Sequence, residues 1–345
     1  MLPAGLLMAM VAHANAPSLI ETAKTEKPQT ESVQTEPLEE VLVTGRLPGP
    51  PLWKVSKGDH VLWIFPHVGF IPREMQWDST RVERIIAGAQ EYLPAPVASA
   101  PTTVSMNPVS VARAWRAYKK STGLPEGQTL ADIVPPALYQ RFEALKARYL
   151  PGNKGVEKLE PEYVFKELST AVVHKENLAP PGLIFSRLDK FVKRNDSLRI
   201  TDTSVRLEDK VGIKELKQQF EDEKSASPRE ADVACFEARI SFLEDLGPIK
   251  KLANAWAQGK ADELLPGTAP SHDEANPCDN LSQYSRDRRD AAISAMREKW
   301  LTAAEVALAG NRSTFAVLGL YDVVAPNGLV AQLQAKGYLV EISGR

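Results

Sequence analysis

The strongest β-strand patterns of this 345-residue chain lie near its two ends. Residues 52–55 and 60–65 are apolar runs on either side of a turn-forming Ser-Lys-Gly-Asp segment, which predicts a β-hairpin. Residues 313–318 and 338–342 have the same apolar, β-branched character. A sheet that takes strands from both ends must bring those ends together in space. We therefore predict an α/β fold with a central mixed sheet from the N- and C-terminal thirds and a large, mostly helical middle.

Between these strands, apolar residues recur mainly at helical spacing, with strand-like interruptions at 102–106 and 197–205. Because the C-terminal segment alternates strand, glycine, helix and strand, we expect its two strands to be parallel neighbours joined by a right-handed crossover. Ligands of such sheets bind beyond the carboxyl ends of the strands, so the residues after Phe65 and Leu318 form the candidate site. The predicted helices span residues 78–89, 109–119, 136–149, 161–174, 182–193, 211–223, 231–257, 287–309 and 328–335.

The overall charge gives no sign of a nucleic-acid partner. The formal net charge is −2 and the sequence pI is about 6.3, so the chain lacks the single-sign field typical of proteins that bind nucleic acid. The apolar content of 43% is enough for a sizeable core. These values predict a globular protein that does not bind nucleic acid.

The first residues are typical of an export signal. Leu2 to Ala12 are apolar, and Ala12-His13-Ala14 fits an A-x-A cleavage pattern, which predicts a signal peptide over residues 1–14. The apolar run is shorter than the roughly 20 residues needed to span a bilayer, so we expect no transmembrane anchor. Residues 15–37 are polar and Pro-containing, which predicts a disordered linker before a single domain over 38–345. We expect a secreted, periplasmic protein.

Cys235 and Cys278 are the only two cysteines, and neither has the spacing of a metal ligand. An even pair in an exported protein predicts a disulfide. The alternative is two separate buried thiols, since free cysteine is among the most buried residue types.

Several short motifs occur in a fixed order from Leu52 to Ile342. They include Ile71-Pro72 before Met75 and Trp77, the segment 253–259 around Trp256, Gly319 at the end of a strand, and the closing stretch 337–340. In this order they resemble the TraB/GumN family, which is related to the Tiki metalloproteases. The resemblance implies a divalent metal held by imidazole and carboxylate ligands at strand ends, with an open position for a catalytic water.

The chain departs from the family at the positions that would carry this chemistry. The histidines expected after the two strands fall on Gly69 and Asp322, and Pro66 replaces the first glycine. The Glu-Arg-Asn stretch expected shortly before Trp300 is missing. Two imidazole ligands are thereby lost and one oxygen ligand is gained, which weakens a zinc site. The resemblance therefore implies a family scaffold with degenerate active-site motifs.

A rebuilt metal site is an alternative that the sequence leaves open. His67 lies two residues before Gly69, which is about 7 Å along an extended strand. A relocated site would use His67, Asp322 and Glu74. Otherwise we expect His67 to be a partly exposed loop histidine and Asp322 to be a turn residue. The candidate residues of the cleft are His67, Gly69, Glu74, Gly319, Tyr321 and Asp322.

Three functions follow from these residues. The first is a non-catalytic, envelope-associated scaffold that binds an unknown protein or peptide and has no cofactor. The second is a metal-dependent protease or other hydrolase with altered ligands. The third is a haem-binding protein with Tyr321 as the axial ligand, by analogy of fold alone.

Overall fold

The computed structural model describes residues 47–104, 108–226, 229–265, 278 and 282–343. The predicted signal peptide and linker lie outside these residues. The strands are β1 (Leu52–Lys57), β2 (His60–His67), β3 (Ile71–Pro72), β4 (Glu91–Leu93), β5 (Ala98–Ser99), β6 (Thr102–Val104), β7 (Leu178–Ala179), β8 (Arg199–Ile200), β9 (Val205–Arg206), β10 (Asp209–Val211), β11 (Ser313–Gly319) and β12 (Leu339–Ser343).

The helices alternate with these strands and dominate the middle of the chain. Within the described residues, no helix is long and apolar enough to cross a membrane. The helices are α1 (Thr80–Ala87), α2 (Pro108–Thr122), α3 (Pro136–Tyr149), α4 (Pro161–Lys175), α5 (Gly182–Val192), α6 (Ile213–Ala226), α7 (Arg229–Glu244), α8 (Gly247–Ala257), α9 (Gln283–Gly310), α10 (Leu320–Val324) and α11 (Leu329–Ala335).

A six-stranded mixed sheet of order β12-β1-β2-β11-β4-β8 forms the centre of the fold. β12, β1 and β2 are antiparallel, whereas β2, β11, β4 and β8 run parallel. The predicted mixed α/β sheet built from both ends of the chain is confirmed. The short strand β8 adds one strand from the helical middle.

The predicted pairing of the last two strands is wrong. β12 lies at the edge of the sheet, antiparallel to β1, and the hairpin β1–β2 separates it from β11. The side chains explain the placement. The five inner residues of β11 are buried, as suits a central strand, whereas Leu339 and Ile342 of β12 are exposed, as an edge position allows.

The predicted long helix over 231–257 is two helices, α7 and α8. Pro248 stands in the first turn of α8, where its missing N–H costs no hydrogen bond but prevents α7 from continuing. The Asp245 carboxylate accepts a hydrogen bond from the backbone N–H of Gly247 at 2.8 Å between the two helices. The strand-like segment 197–205 likewise divides into β8 and β9.

The main hydrophobic core surrounds the sheet, and a second core fills the helical middle between α3, α4 and α7. Phe142 and Phe236 are among the largest fully buried side chains of the second core. The predicted cysteine pair is joined as a disulfide, with the Cα atoms of Cys235 and Cys278 4.6 Å apart. Because Cys235 lies in α7, this bond ties the second core to a residue 43 positions away.

Candidate functional site

The carboxyl ends of β2 and β11 lie side by side, as the sequence predicted for the candidate site. In the parallel register, His67 stands opposite Gly319. Trp256 of α8 fixes the end of β2, because its buried indole N–H donates a 2.7 Å hydrogen bond to the carbonyl of Pro66. The same indole packs edge-on against Phe65 and Trp77. The tryptophan motif of the middle segment therefore serves to position a strand end.

His67 is a partly buried histidine at this strand end. Its ring packs edge-on against Phe185 of α5, with ring centroids 5.0 Å apart. Its Nδ1 atom is buried and has no hydrogen-bond partner among the described residues. Burial lowers the pKa of His67 to about 4, against the opposing effect of the Val68 backbone. The imidazole is therefore neutral at pH 7, the form that can bind a metal ion.

Asp322 is held by an arginine that the sequence did not single out. Its carboxylate accepts a 2.6 Å hydrogen bond from Nη1 of Arg297, and Nη2 of the same guanidinium donates to the carbonyl of Asn327. About a fifth of each side chain in the pair is exposed, 21% for Asp322 and 23% for Arg297. The pair joins α9 to α10. The arginine was missed because only tertiary structure brings residue 297 to residue 322.

A close backbone contact supports the loop that follows Asp322. A Cβ atom at Gly328 would lie 2.6 Å from the backbone oxygen of Asp322 and 2.9 Å from that of Ala325. Real Cβ atoms do not come so close to backbone oxygens, so only glycine fits here without a shift of the loop. The Gly-Leu motif at 328–329 thus lets the loop return close to α10.

Tyr321 and Glu74 have contacts of their own, whereas Gly69 has none among the described residues. The hydroxyl of Tyr321 donates a 3.0 Å hydrogen bond to the side chain of Asn327. Gly69 is exposed, with open space around its Cα. Glu74 accepts a hydrogen bond from Asn177 at 3.1 Å. In the described part of the chain, no hydrogen bond or ion pair joins Glu74, His67 and Asp322. We call His67, Gly69, Gly319, Tyr321 and Asp322 the carboxyl-end site.

The donor set of this site does not fit the metal that the family resemblance implies. The Asp322 carboxylate already binds a guanidinium, and the two family histidine positions offer no imidazole. Across the described ranges, no group of three or more His, Cys, Asp or Glu side chains is placed to hold a metal ion. A catalytic metal usually has three protein ligands.

A second polar cluster lies at the opposite, amino end of the parallel strands. The Glu91 carboxylate of β4 is buried and accepts hydrogen bonds from Arg199 at 2.7 Å, from Asn311 at 2.6 Å and from the hydroxyl of Thr201. Burial opposes ionisation of Glu91, but these three donors outweigh it and lower its pKa. A cavity of about 750 Å³ opens beside this cluster. The sequence offered one signal, an acidic residue at the start of an apolar strand segment.

Comparison with known proteins gives one family and no individual relative. A family model described as the TraB/PrgY/gumN family matches residues 51–342, which is nearly the whole chain. Comparison with curated proteins and with solved structures gives no match.

Proposed function

The chain belongs to the TraB/PrgY/gumN family, and from that premise we propose that it is a non-catalytic binding protein of the bacterial envelope. Its ligand would be a protein or peptide, bound on the scaffold that the family uses. Membership supplies the scaffold alone, because function depends on the residues of a site and not on the fold that carries them.

The ion pair between Asp322 and Arg297 carries this proposal. A metal ligand must offer a lone pair to the ion, but here a guanidinium occupies the carboxylate at the family's second histidine position. At the first position, Gly69 has no side chain to contribute. Both changes act in the same direction, because each removes an imidazole and neither restores a nitrogen ligand.

The disulfide supports the proposed location in the periplasm. Disulfides form and persist in oxidising compartments and are rare in the bacterial cytosol. The bond between Cys235 and Cys278 closes a long loop, so its loss in a reducing compartment would remove a few kcal/mol of stability. This agrees with the export signal predicted at residues 1–14.

Metal content is the test of the proposal. We expect the chain, purified under oxidising conditions and exposed to Zn²⁺, to hold far less than stoichiometric metal by plasma mass spectrometry. The double substitution Gly69→His and Asp322→His, which restores the family's imidazoles, should raise the bound metal. His174→Ala is the matched control, because His174 is an exposed histidine of α4 outside the site.

A metal-dependent hydrolase with altered ligands is the second candidate, and His67 is the observation that favours it. The ring is neutral at pH 7 and its buried Nδ1 has no partner among the described residues. This alternative predicts stoichiometric metal in the unaltered chain. The metal and a chelator-sensitive peptidase activity should then both be lost in His67→Ala and in Asp322→Ala. That result would overturn the non-catalytic proposal.

A further inference from the structure

We call the cavity beside Glu91 the amino-end cavity; its lining includes Glu91, Arg199, Thr203, Lys299, Ala303 and Val306. It lies at the end of the sheet opposite the site that the family motifs indicate. It lies between α9, the strands β4 and β8, and the segment 201–203 that follows β8. Its volume of about 750 Å³ falls within the range of roughly 300–1,000 Å³ that is typical of small-molecule sites.

Arg199 presents unused hydrogen-bond donors at this cavity. Its guanidinium contacts Glu91 and Asn311 through Nη2 alone, and its Nε and Nη1 have no partner among the described residues. The side chain is 59% exposed, whereas that of Glu91 is 6% exposed. Glu91 thus holds the guanidinium by Nη2 and leaves Nε and Nη1 for a ligand. Nε and Nη1 point from different edges of the guanidinium, so each can donate a single hydrogen bond to a ligand carboxylate, and the positive charge strengthens that bond.

A second cation lies on the facing helix. Lys299 of α9 lines the cavity and donates a 3.0 Å hydrogen bond to the carbonyl of Ser204, which holds the segment after β8 against α9. Glu298, an exposed residue, is the carboxylate of the lining that has no donor within the described ranges. The pKa of Asp202, on the segment after β8, is lowered by hydrogen bonds from Ser204 and further by the charge of Lys299. With Glu91 saturated by three donors, Arg199 is therefore the cation with free donors, and Lys299 shares its charge with Asp202.

An orphaned hydroxyl also belongs to the lining. Thr203 is fully buried, and its Oγ1 has no hydrogen-bond partner among the described residues. Buried polar groups in folded proteins are nearly always satisfied, often by an ordered water, so we expect a water beside this hydroxyl.

Part of the α9 side of the cavity, C-terminal to Lys299, is apolar. Ala303 and Val306 contribute methyl groups, and Val306 is 63% exposed although it is a large aliphatic residue. An exposed aliphatic side chain at the mouth of a cavity loses contact with water when an apolar ligand covers it.

We propose that the amino-end cavity binds a carboxylate with an apolar body. The carboxylate would take the free donors of Arg199, with Lys299 adding positive charge, and the apolar body would lie along Ala303 and Val306. Two sources share this chemistry, a free amphiphilic carboxylate and the C-terminal carboxylate of a peptide. The proposal does not depend on whether the carboxyl-end site is catalytic.

Calorimetric titration of the whole chain with two matched probe pairs tests this inference. One pair is octanoate and octanamide, and the other is an N-acetylated Ala-Ala-Ala-Leu peptide as the free acid and as the amide. We expect at least one acid to bind and its amide to bind about tenfold more weakly or not at all. If only octanoate binds, the ligand is a free amphiphile, and if only the peptide acid binds, it is a peptide end.

Substitutions then locate the binding to this cavity. Val306→Glu places a negative charge at the mouth without removing a buried contact, so it should weaken acid binding about tenfold or more. Ile293→Glu is the matched control, because Ile293 is an exposed aliphatic residue of α9 outside the lining and the net charge changes equally. Arg199→Lys keeps a cation near Glu91 but removes the free Nε and Nη1 donors, and should also weaken binding.

Three outcomes would overturn the proposal. They are no binding of either acid, equal binding of acid and amide, and an affinity that Val306→Glu leaves unchanged. Circular dichroism of each variant establishes that a lost signal is not lost folding, and Val306→Glu remains informative even if Arg199→Lys fails to fold.

Discussion

The two ends of the central sheet hold the same kind of ion pair in opposite arrangements. At the carboxyl end, Asp322 and Arg297 are about equally hidden, and the guanidinium is divided between the carboxylate and the carbonyl of Asn327. At the amino end, the carboxylate of Glu91 is buried and saturated, while the guanidinium of Arg199 is largely exposed. A closed pair cross-links two helices, whereas an open pair presents donors to a ligand. The exposure of the guanidinium therefore determines whether an arginine–carboxylate pair can also donate hydrogen bonds to a ligand.

Acidification should give the largest difference between the two ends of the sheet, because it lowers stability first through His67 at the carboxyl end. The pKa of His67 is about 4 in the folded chain, below the 6.5 of an exposed histidine. As the pH falls from 6.5 towards 4, the unfolded chain binds a proton that the folded chain excludes. The free energy of unfolding should therefore fall, by about 2.5 kcal/mol at pH 4.5. Urea denaturation at pH 7.5 and pH 4.5 measures the loss.

His67→Gln is the control for this prediction, because glutamine cannot take up a proton in this range. The variant should keep most of the stability that the unaltered chain loses between the two pH values. Equal losses in both proteins would mean that the His67 ring is open to solvent, and the carboxyl end would then not be the acid-sensitive end.

Glu91→Gln tests whether the amino end is the more tightly built of the two. The amide replaces one acceptor oxygen with an NH2 donor, so at least one of the donors that now bind the carboxylate loses its acceptor, which should lower the free energy of unfolding by about 2 kcal/mol at pH 7. The lowered pKa of Glu91 gives the pH dependence. Its stabilising effect is present above pH 4.5 and disappears as the pH falls through the folded-state pKa. The stability curves of variant and unaltered chain should therefore converge in that acidic range.

A double-mutant cycle on Asp322→Asn and Arg297→Met measures the closed pair directly. We expect a coupling energy of about 1 kcal/mol, less than a fully buried pair gives, because a fifth of each side chain meets water. The exposed pair of Lys54 and Glu341 across β1 and β12, with N–O distance 2.8 Å, is the reference and should couple more weakly. A coupling energy no larger than that of the reference pair would show that the Asp322–Arg297 pair does not cross-link the two helices.

The sequence predicted what depends on local pattern and missed what depends on distant partners. The apolar runs at 52–55 and 313–318 marked the strands, and the family motifs led to Gly69 and Asp322, which follow the strand ends. The partners of the two arginine pairs were not foreseen. Arg199 lies 108 positions from Glu91, and Arg297 is 25 positions from Asp322. No periodicity or spacing rule connects such residues, because they come together only when β8 pairs with β4 and when α9 packs beside α10.

The misplacement of β12 has a similar cause. The sequence of residues 338–342 predicted a strand, but a strand pattern does not predict which strand it will pair with. β12 pairs with β1, and Trp53 lies opposite Ile342 in the antiparallel register. That position leaves β11 free to pair with β2 and β4 on both of its edges. The order of strands in a sheet therefore depends on which pairings compete best with one another. The sequence of a single strand does not determine this.

Tyr321→Phe should have the smallest effect, because among the described residues it removes one exposed hydrogen bond at the carboxyl end. The lost contact is the 3.0 Å bond to Asn327, so the free energy of unfolding should fall by about 0.5 kcal/mol. The same variant tests the haem hypothesis, which names Tyr321 as the axial ligand. For a non-catalytic binding protein without a cofactor, we expect no Soret band after haem is added to either form. A band in the unaltered chain that disappears in Tyr321→Phe would make the carboxyl end a haem site, and the closed ion pair beside it would then belong to the haem pocket.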